Sequence, residues 1–303
     1  MKKAILLIIS ILLITLLVIS LQKSDKGNHK EVVITTIYPL YYITKEIAKE
    51  HIEVRQLIKV GNQIHSFSPT PKDMVELDRG SLFITLGERL EPWSKKIAEA
   101  TTVDVLSLDT TLDLIERSSH HDEHKHNSGI DPHVWLDFDN NINMAEAIKN
   151  RLTKIYPQYS KSFKKSTIEL QERFRTLKRE YEDGLKSCQK DTILVAHDAF
   201  GYMQRAYGFE SQSIMGIFAH SKPNAKKIAK LTRIIDSRGI SILFYDPLVS
   251  TKSATQLAND RDLELLPLYT LGNISLKNRD KKEDMISLLR HNLTQLQKAL
   301  QCQ

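Results

Sequence analysis

The sequence predicts an α/β protein in which two βα lobes, with mostly parallel sheets, are joined by one long rigid α-helix. Two observations support this fold class. Short runs rich in β-branched and apolar residues alternate with helical patterns in each half of the 303-residue chain, and this alternation is typical of parallel sheets. Between the halves, a helical pattern continues after Pro157 without Pro or Gly until Gly184. A chain of this length is long enough for two domains.

The N-terminus has the pattern of an export signal. Two lysines precede an uninterrupted apolar stretch from Ala4 to Leu21, and a polar segment follows. The stretch is also about long enough to span a bilayer. Residues 1–27 are therefore predicted to be either a cleaved signal peptide or a retained N-terminal anchor. No cysteine follows the stretch, which argues against a lipid-anchored start. In both cases we expect the rest of the chain to be exported to the periplasm.

The N-terminal lobe is predicted over residues 28–156. Gly61 and Gly87 end two of its strands, and Pro71 stands where a helix begins. The predicted strands are 31–37, 51–60, 81–87 and 103–108, and the predicted helices are 40–50, 72–79 and 91–100. A polar loop with four histidines, residues 118–129, follows the last strand.

The linking helix is predicted over residues 157–187. Apolar and small residues recur at spacings of three and four, as one face of a helix requires. They are Phe163, Thr167, Leu170, Phe174, Leu177, Tyr181 and Leu185. The pattern predicts about 28 helical residues, roughly 40 Å at 1.5 Å per residue, which is long enough to bridge two lobes.

The C-terminal lobe is predicted over residues 188–303, where the βα alternation starts again. Pro223 and Gly239 mark the two ends of its clearest helix. The predicted strands are 191–196, 209–217, 240–245 and 263–268, and the predicted helices are 199–208, 223–239, 251–260 and 281–300.

The two cysteines of the chain, Cys188 and Cys302, match no metal-binding motif. In an exported protein they either form one disulfide or remain free. The net charge is +6, and the basic residues are spread along the chain. Without a cluster of interleaved aromatics or a nucleic-acid-binding motif, this charge predicts a solvated surface and no nucleic-acid partner.

Three histidines stand apart from the histidine-rich loop. His65 follows a predicted strand, His133 lies between Pro132 and an apolar triplet, and His197 comes directly after a strand. Ligands bind beyond the carboxyl ends of strands in parallel sheets, so the three side chains can face a cleft between the lobes. Three imidazoles suit zinc and leave a fourth position for water or a carboxylate. Taken one at a time, a histidine near a strand end is more often a hydrogen-bonded structural residue than a metal ligand, and only the combination of the three favours a metal site.

The segments "HSFSPTPKDM", "DPHVWLD" and "AHDAFGYMQRAYG" occur in this order, with the histidine-rich insertion before the second. Together they resemble the solute-binding proteins of zinc- and manganese-uptake ABC transporters, the cluster A-I metal-binding receptors. The resemblance runs from about Glu31 to the C-terminus. It implies two lobes on a rigid helix and a metal held between them by His65, His133 and His197.

The chain departs from this family where an acidic fourth ligand is expected. Tyr269 and Thr270 stand in "LPLYTLG" where many members have Asp. Asp246 is the nearest carboxylate that follows a strand, but the matching position looks structural in relatives. The prediction is therefore three histidines and a water around the metal. Because Mn²⁺ prefers more oxygen ligands, this ligand set favours Zn²⁺.

The resemblance implies a monomeric receptor that captures Zn²⁺ outside the cytoplasm and delivers it to an ABC permease in the inner membrane. The histidine-rich loop is expected to collect zinc, or else to be a polar loop without consequence. A manganese or iron receptor of the same family is the nearest alternative. A zinc hydrolase, with Asp198 as its candidate base, and a surface adhesin are alternatives from other classes. No HExxH signature is present, so we expect no enzyme.

Overall fold

The computed structural model describes residues 31–64, 67–116, 129–216 and 224–303. The predicted signal or anchor (1–27) and almost all of the histidine-rich loop lie outside the described residues, as does His65. Among the residues that are described, no helix is both long enough and apolar enough to cross a membrane.

The first sheet has four parallel strands in the order β2-β1-β3-β4. The strands are β1 (Val32–Thr35), β2 (Glu53–Gln56), β3 (Leu82–Thr85) and β4 (Val105–Ser107). Both β1 and β3 are almost completely buried, as expected for parallel strands covered on both faces. The strand predicted at 51–60 is shorter than expected, because the chain turns away from β1 after Ile58.

The second sheet has four parallel strands in the same arrangement, β6-β5-β7-β8. They are β5 (Thr192–Val195), β6 (Glu210–Ser213), β7 (Ile242–Tyr245) and β8 (Glu264–Pro267). The α/β fold with two parallel sheets is confirmed. In each sheet the strand order reverses between the first strand and the third, so a ligand crevice is expected at β1/β3 and at β5/β7.

Capping residues mark the start of two helices of the N-terminal lobe. The α2 helix starts at Pro71, and Thr70 and Asp73 form a reciprocal capping box that satisfies two of its free backbone N–H groups. The helices are α1 (Tyr38–Ala48), α2 (Pro71–Asp78), α3 (Trp93–Ala100) and α4 (Phe138–Ile155). The sequence prediction did not include α4, although Asp137 caps it and Met144, Ile148 and Leu152 form its buried face.

The linking helix α5 spans Ser160–Gly184. Its 25 residues are slightly fewer than predicted, because residues 157–159 form a separate 3-10 turn. The apolar face predicted from Phe163 to Tyr181 is buried. It packs against α1 and α4 of the N-terminal lobe and against the C-terminal helix. The helix is therefore part of the core that both lobes share, not an exposed bridge.

The helices of the C-terminal lobe are α6 (Gly201–Tyr207), α7 (Ala225–Arg238), α8 (Lys252–Arg261), α9 (Leu276–Asp280) and α10 (Met285–Leu300). The single helix predicted over 281–300 is wrong at its start. Lys282 has a positive φ of 58°, and the side chain of Asp284 caps a new helix by accepting from the N–H of Ser287. These two features separate α9 from α10.

Cys188 and Cys302 form a disulfide, which resolves the alternative that the sequence left open. The bond joins the turn after α5 to the residues that follow α10. Backbone hydrogen bonds surround it, from Lys190 N to the carbonyl of Leu300 (2.9 Å) and from Gln303 N to that of Ser187 (3.0 Å). The disulfide therefore closes the C-terminal lobe at its two chain ends.

Candidate metal centre

His197 follows β5 directly and is almost completely buried. Its Nδ1 lies 3.1 Å from the carbonyl oxygen of Gly216, in the residues that follow β6. A carbonyl oxygen can only accept, so Nδ1 carries the hydrogen. In the neutral ring this leaves the lone pair on Nε2, which is the form that binds a metal. The end of β5 and the backbone of the residues after β6 together fix the direction of that lone pair.

His133 is fixed by a different partner in the N-terminal lobe. Its Nδ1 lies 2.8 Å from Oδ1 of Asp131, and the same oxygen accepts from the backbone N–H of His133 at 3.1 Å. Both side chains are fully buried. A histidine that donates its Nδ1 hydrogen to a carboxylate while Nε2 faces a metal is a common arrangement in zinc sites. Trp135 packs edge-on against the ring, with centroids 5.5 Å apart.

The Nε2 atoms of His133 and His197 face each other at 3.3 Å. Two imidazole nitrogens bound to a tetrahedral zinc at 2.0–2.1 Å are separated by about 3.3–3.4 Å. The observed separation therefore matches two adjacent corners of a zinc coordination sphere. Because both Nδ1 hydrogens are directed to other acceptors, two lone pairs point toward one position between the lobes.

The third predicted ligand, His65, lies outside the described residues. Within the described part of the chain, no group of three or more His, Cys, Asp or Glu side chains is arranged to hold a metal ion. The structure thus brings together two of the three predicted histidines, and the assignment of His65 remains a prediction. The described residue nearest to it in sequence, Ile64, lies against the C-terminal lobe, where a methyl group on Gly272 would meet it at 2.5 Å.

Asp246, the carboxylate weighed as a fourth ligand, follows β7 and is almost completely buried. Its Oδ1 accepts from the N–H of Leu248 at 2.8 Å, and its Oδ2 accepts from the hydroxyl of Thr270. Burial raises the pKa of Asp246, while these hydrogen bonds and the nearby His133 act in the opposite direction. Both carboxylate oxygens accept hydrogen bonds from the C-terminal lobe, and Asp246 thereby stabilises the wall of the crevice.

The N-terminal lobe has a matching buried carboxylate at its own strand crossover. Glu91 Oε2 accepts hydrogen bonds from the hydroxyls of Thr36 (3.1 Å) and Thr85 (2.6 Å) and from the N–H of Leu86 (2.8 Å). Burial raises the pKa of Glu91. The Glu91 side chain is hydrogen-bonded to the carboxyl ends of β1 and β3, and in this way it stabilises that end of the first sheet.

Sequence reasoning missed the residues that orient the two histidines. Asp131 lies two positions before His133 in the quoted "DPHVWLD" segment, and an Asp-x-His spacing was the available signal. Thr270 was noted only as a departure from an acidic position. In the structure its carbonyl accepts from Trp135 Nε1 at 2.7 Å while its hydroxyl binds Asp246. No local pattern could have predicted that pairing, because the partners are distant in sequence.

Replacing Asp131 by alanine is expected to weaken zinc binding by about 10–100-fold, because outer partners of ligating histidines typically contribute this much to affinity. Asp131→Asn, which keeps an acceptor oxygen, should lose less. Competition titration with a chromophoric zinc chelator measures both. Asp139→Ala, which removes an exposed partner of Lys178, is the control. Unchanged affinity in folded Asp131→Ala protein would contradict the assignment.

Two parallel α/β lobes joined by a long helix, with imidazoles converging between them, define the class of two-lobed solute-binding receptors. The model of the family described as ZnuA, the periplasmic component A of zinc-uptake complexes, matches residues 33–299. That range covers most of the chain, and the protein belongs to this family.

The relatives and a solved structure agree with this membership. The chain is 28% identical over 315 residues to the zinc-binding protein AdcA of Streptococcus pyogenes, a match that covers 98% of this chain and 61% of that relative. It is 29% identical over 292 residues to the high-affinity zinc uptake system protein ZnuA of Bacillus subtilis, covering 91% and 90%. The structure of the metal-dependent lipoprotein YcdH from Bacillus subtilis superposes with a TM-score of 0.77 at 27% identity, covering 89% of this chain and 99% of that one.

Proposed function

We propose that the protein is a zinc receptor that captures Zn²⁺ outside the cytoplasm and delivers it to an ABC permease for uptake. The observation that carries the proposal is the 3.3 Å separation of the facing Nε2 atoms of His133 and His197. This spacing, with both Nδ1 hydrogens directed elsewhere, suits a tetrahedral ion. The names of the relatives, a zinc-binding protein and a zinc uptake protein, support the same metal.

The proposed ligand set is His65, His133 and His197 with a water in the fourth position. Its three imidazoles favour zinc over manganese, because manganese prefers carboxylate and other oxygen ligands. Among the buried carboxylates that the structure describes, Asp131, Asp246 and Glu91 all accept hydrogen bonds from neighbouring side chains or backbone groups, which supports water over a carboxylate as fourth ligand.

The proposed partner is the membrane permease of a zinc-uptake transporter. Family membership supports an extracytoplasmic location, since the family is described as periplasmic, and the apolar N-terminal stretch supports export. The protein acts as a monomer that binds and releases an ion, and it is not an enzyme. A zinc hydrolase would instead turn over generic ester or phosphoester substrates when loaded with zinc.

Elemental analysis of the protein purified from its export compartment tests the proposal. We expect close to one zinc per chain in the wild-type protein and little in His133→Ala. If manganese or iron were found at the same level instead, that metal would be the cargo. Full metal content in His133→Ala would contradict this site and favour a non-metal receptor.

Zinc affinity is expected to fall as the pH is lowered from about 7.5 to 5, because a protonated imidazole cannot bind a metal and binding must then displace a proton. Chelator competition at several pH values measures the effect, with a control titration of the chelator alone at each pH. An affinity that stays constant over this range would contradict a site made of histidines.

A further inference from the structure

Tyr202 lies in the first turn of α6, in the C-terminal lobe, and its hydroxyl is hydrogen-bonded to the backbone of the N-terminal lobe. The hydroxyl donates to the carbonyl of Asp131 at 3.0 Å and accepts from the N–H of Ile115 at 3.1 Å. The N–H of Asp131 in turn donates to the carbonyl of Ile115 at 3.0 Å. One phenol of the second lobe therefore binds two backbone segments of the first lobe that are also bonded to each other.

The bond between Tyr202 and Asp131 is closed to solvent. Both residues are completely buried, so water cannot readily take the place of the hydroxyl. Burial also raises the pKa of Tyr202, and the phenol therefore keeps its hydrogen and remains a donor at neutral pH. Loss of a buried donor leaves its acceptor with an uncompensated desolvation cost, so this contact should be specific in its geometry.

Each of the two residues joined by this bond leads to a candidate metal ligand. Tyr202 follows His197 on the short segment that runs from the end of β5 into α6. Asp131 holds the ring of His133 through its side chain, at 2.8 Å from Nδ1, and holds the backbone N–H of His133 at 3.1 Å. A single hydrogen bond thus connects the segment that carries His197 to the residue that orients His133.

Arg205, one turn further along α6, makes a second contact between the lobes. Its guanidinium contacts the carboxylates of Asp113 at 3.0 Å and Asp137 at 3.1 Å, and it lies 5.3 Å from the centre of the Tyr202 ring. The Arg205 side chain is 39% exposed, and exposed ion pairs of this kind contribute little. The buried phenol is therefore the better candidate for fixing the position of the Asp131 backbone.

We propose that Tyr202 is a positioning residue for metal binding, whose hydroxyl fixes the Asp131 backbone against α6 and thereby sets the separation of His133 and His197. The inference rests on the proposed zinc function. The two histidines belong to different lobes, and their Nε2 atoms are 3.3 Å apart, which is the spacing that a tetrahedral zinc requires. A shift of the Asp131 backbone is passed on to His133 and changes that spacing.

The first test compares Tyr202→Phe with Tyr181→Phe by zinc–chelator competition. Tyr181 is the matched control, because it is also completely buried and its hydroxyl donates to a backbone carbonyl, that of Leu289 in α10, at 2.6 Å. Each variant loses one oxygen atom and one buried hydrogen bond, but only Tyr202 binds the residue that orients His133.

We expect Tyr202→Phe to weaken zinc affinity by about 3–10-fold and Tyr181→Phe to leave it unchanged. The loss should be smaller than that for Asp131→Ala, because the orienting carboxylate is still present and only its placement is less well fixed. The bond from Trp135 to the carbonyl of Thr270 also remains between the lobes. Equal affinities for the two folded variants would overturn the proposal.

The visible spectrum of bound Co²⁺ provides a readout that a loss of stability alone does not change. We expect the bands of the Tyr202→Phe protein to shift or lose intensity at full occupancy, because the two imidazoles no longer meet at the tetrahedral spacing. The spectrum of Tyr181→Phe should match that of the wild type. A wild-type spectrum for Tyr202→Phe would contradict a positioning role.

A double-mutant cycle tests whether the effect acts through His133. Once His133 is replaced by alanine, Tyr202→Phe should cause no further loss of zinc affinity, because the ligand that it positions is gone. A general structural defect would lower the affinity by the same factor in both backgrounds, and that result would also count against the proposal. Tyr202→Met, which lacks the hydroxyl as well, takes the place of Tyr202→Phe in the cycle if the latter does not fold.

Two measurements separate this inference from the proposed function. Amide hydrogen exchange of the metal-free protein should be faster at the N–H of Ile115 in Tyr202→Phe than in the wild type or Tyr181→Phe; unchanged exchange would show that the hydroxyl does not hold this backbone. If wild type and His133→Ala bind zinc equally, the proposed site fails. If His133→Ala is defective while Tyr202→Phe binds normally, only the positioning role of Tyr202 fails.

Discussion

Replacement of His197 by alanine is expected to lower zinc affinity by more than about 100-fold. The loss of an outer partner of a ligating histidine already costs about 10–100-fold, and the loss of the ligand itself must cost more. His197 contributes one of the two Nε2 atoms that face each other at 3.3 Å. The other proposed ligands cannot reach the coordination position that its loss leaves empty. Chelator competition or calorimetric titration with Zn²⁺ measures the change.

His51→Ala is the control for this prediction. His51 is an exposed histidine that stacks on Tyr159, with centroids 4.4 Å apart, and contacts Ser162. Its replacement removes one imidazole from the protein without touching the interlobe crevice, so zinc affinity should be unchanged. If the two variants lost the same affinity, binding would depend on the histidine content of the chain and not on the crevice.

Reduction of the disulfide between Cys188 and Cys302 is expected to lower the free energy of unfolding by about 2–5 kcal/mol. The bond closes a loop with a sequence separation of 114 residues, and it therefore removes a large amount of conformational freedom from the unfolded chain. For a protein of this size, the melting temperature should fall by roughly 3–9 °C. Thermal unfolding followed by circular dichroism, with and without reductant, measures the shift.

The double variant Cys188→Ser, Cys302→Ser separates the bond from side effects of the reductant. It should melt at the temperature of the reduced wild type, and reductant should not change it further. A chelator must be present throughout, because bound zinc stabilises the folded state by mass action. A melting temperature equal to that of the oxidised wild type would show that the loop closure contributes nothing.

Much of the fold could be predicted because its signals are local. The β-branched runs mark β1, β5 and β7, and the spacing from Phe163 to Tyr181 marks α5, since burial of one helical face needs only a regular repeat in the sequence. The predicted start of α5 was too early, because residues 157–159 form a 3-10 turn that lies before the first residue of this repeat. The helix α4 was missed, although Asp137 and its buried face gave a usable signal.

The candidate site was predicted less completely. The motif residues His133 and His197 lie together as predicted, which required only that each occupy a loop at the same cleft. Their hydrogen-bond partners, Asp131 and the carbonyl of Gly216, were not predicted. The carbonyl has no sequence signature, because every residue carries one.

By itself, the sequence determined the α/β class and the long helix and proposed the histidines as metal ligands, because hydrophobic periodicity and side-chain chemistry are properties of short segments. Tertiary structure alone decided that two Nε2 atoms meet at 3.3 Å, that Asp246 is held by Thr270, and that Asn273 binds the loop before His65. These contacts join residues 24 to more than 200 positions apart. The first and third form only when the two lobes pack together, and the second only when the C-terminal lobe folds, so no local pattern encodes them.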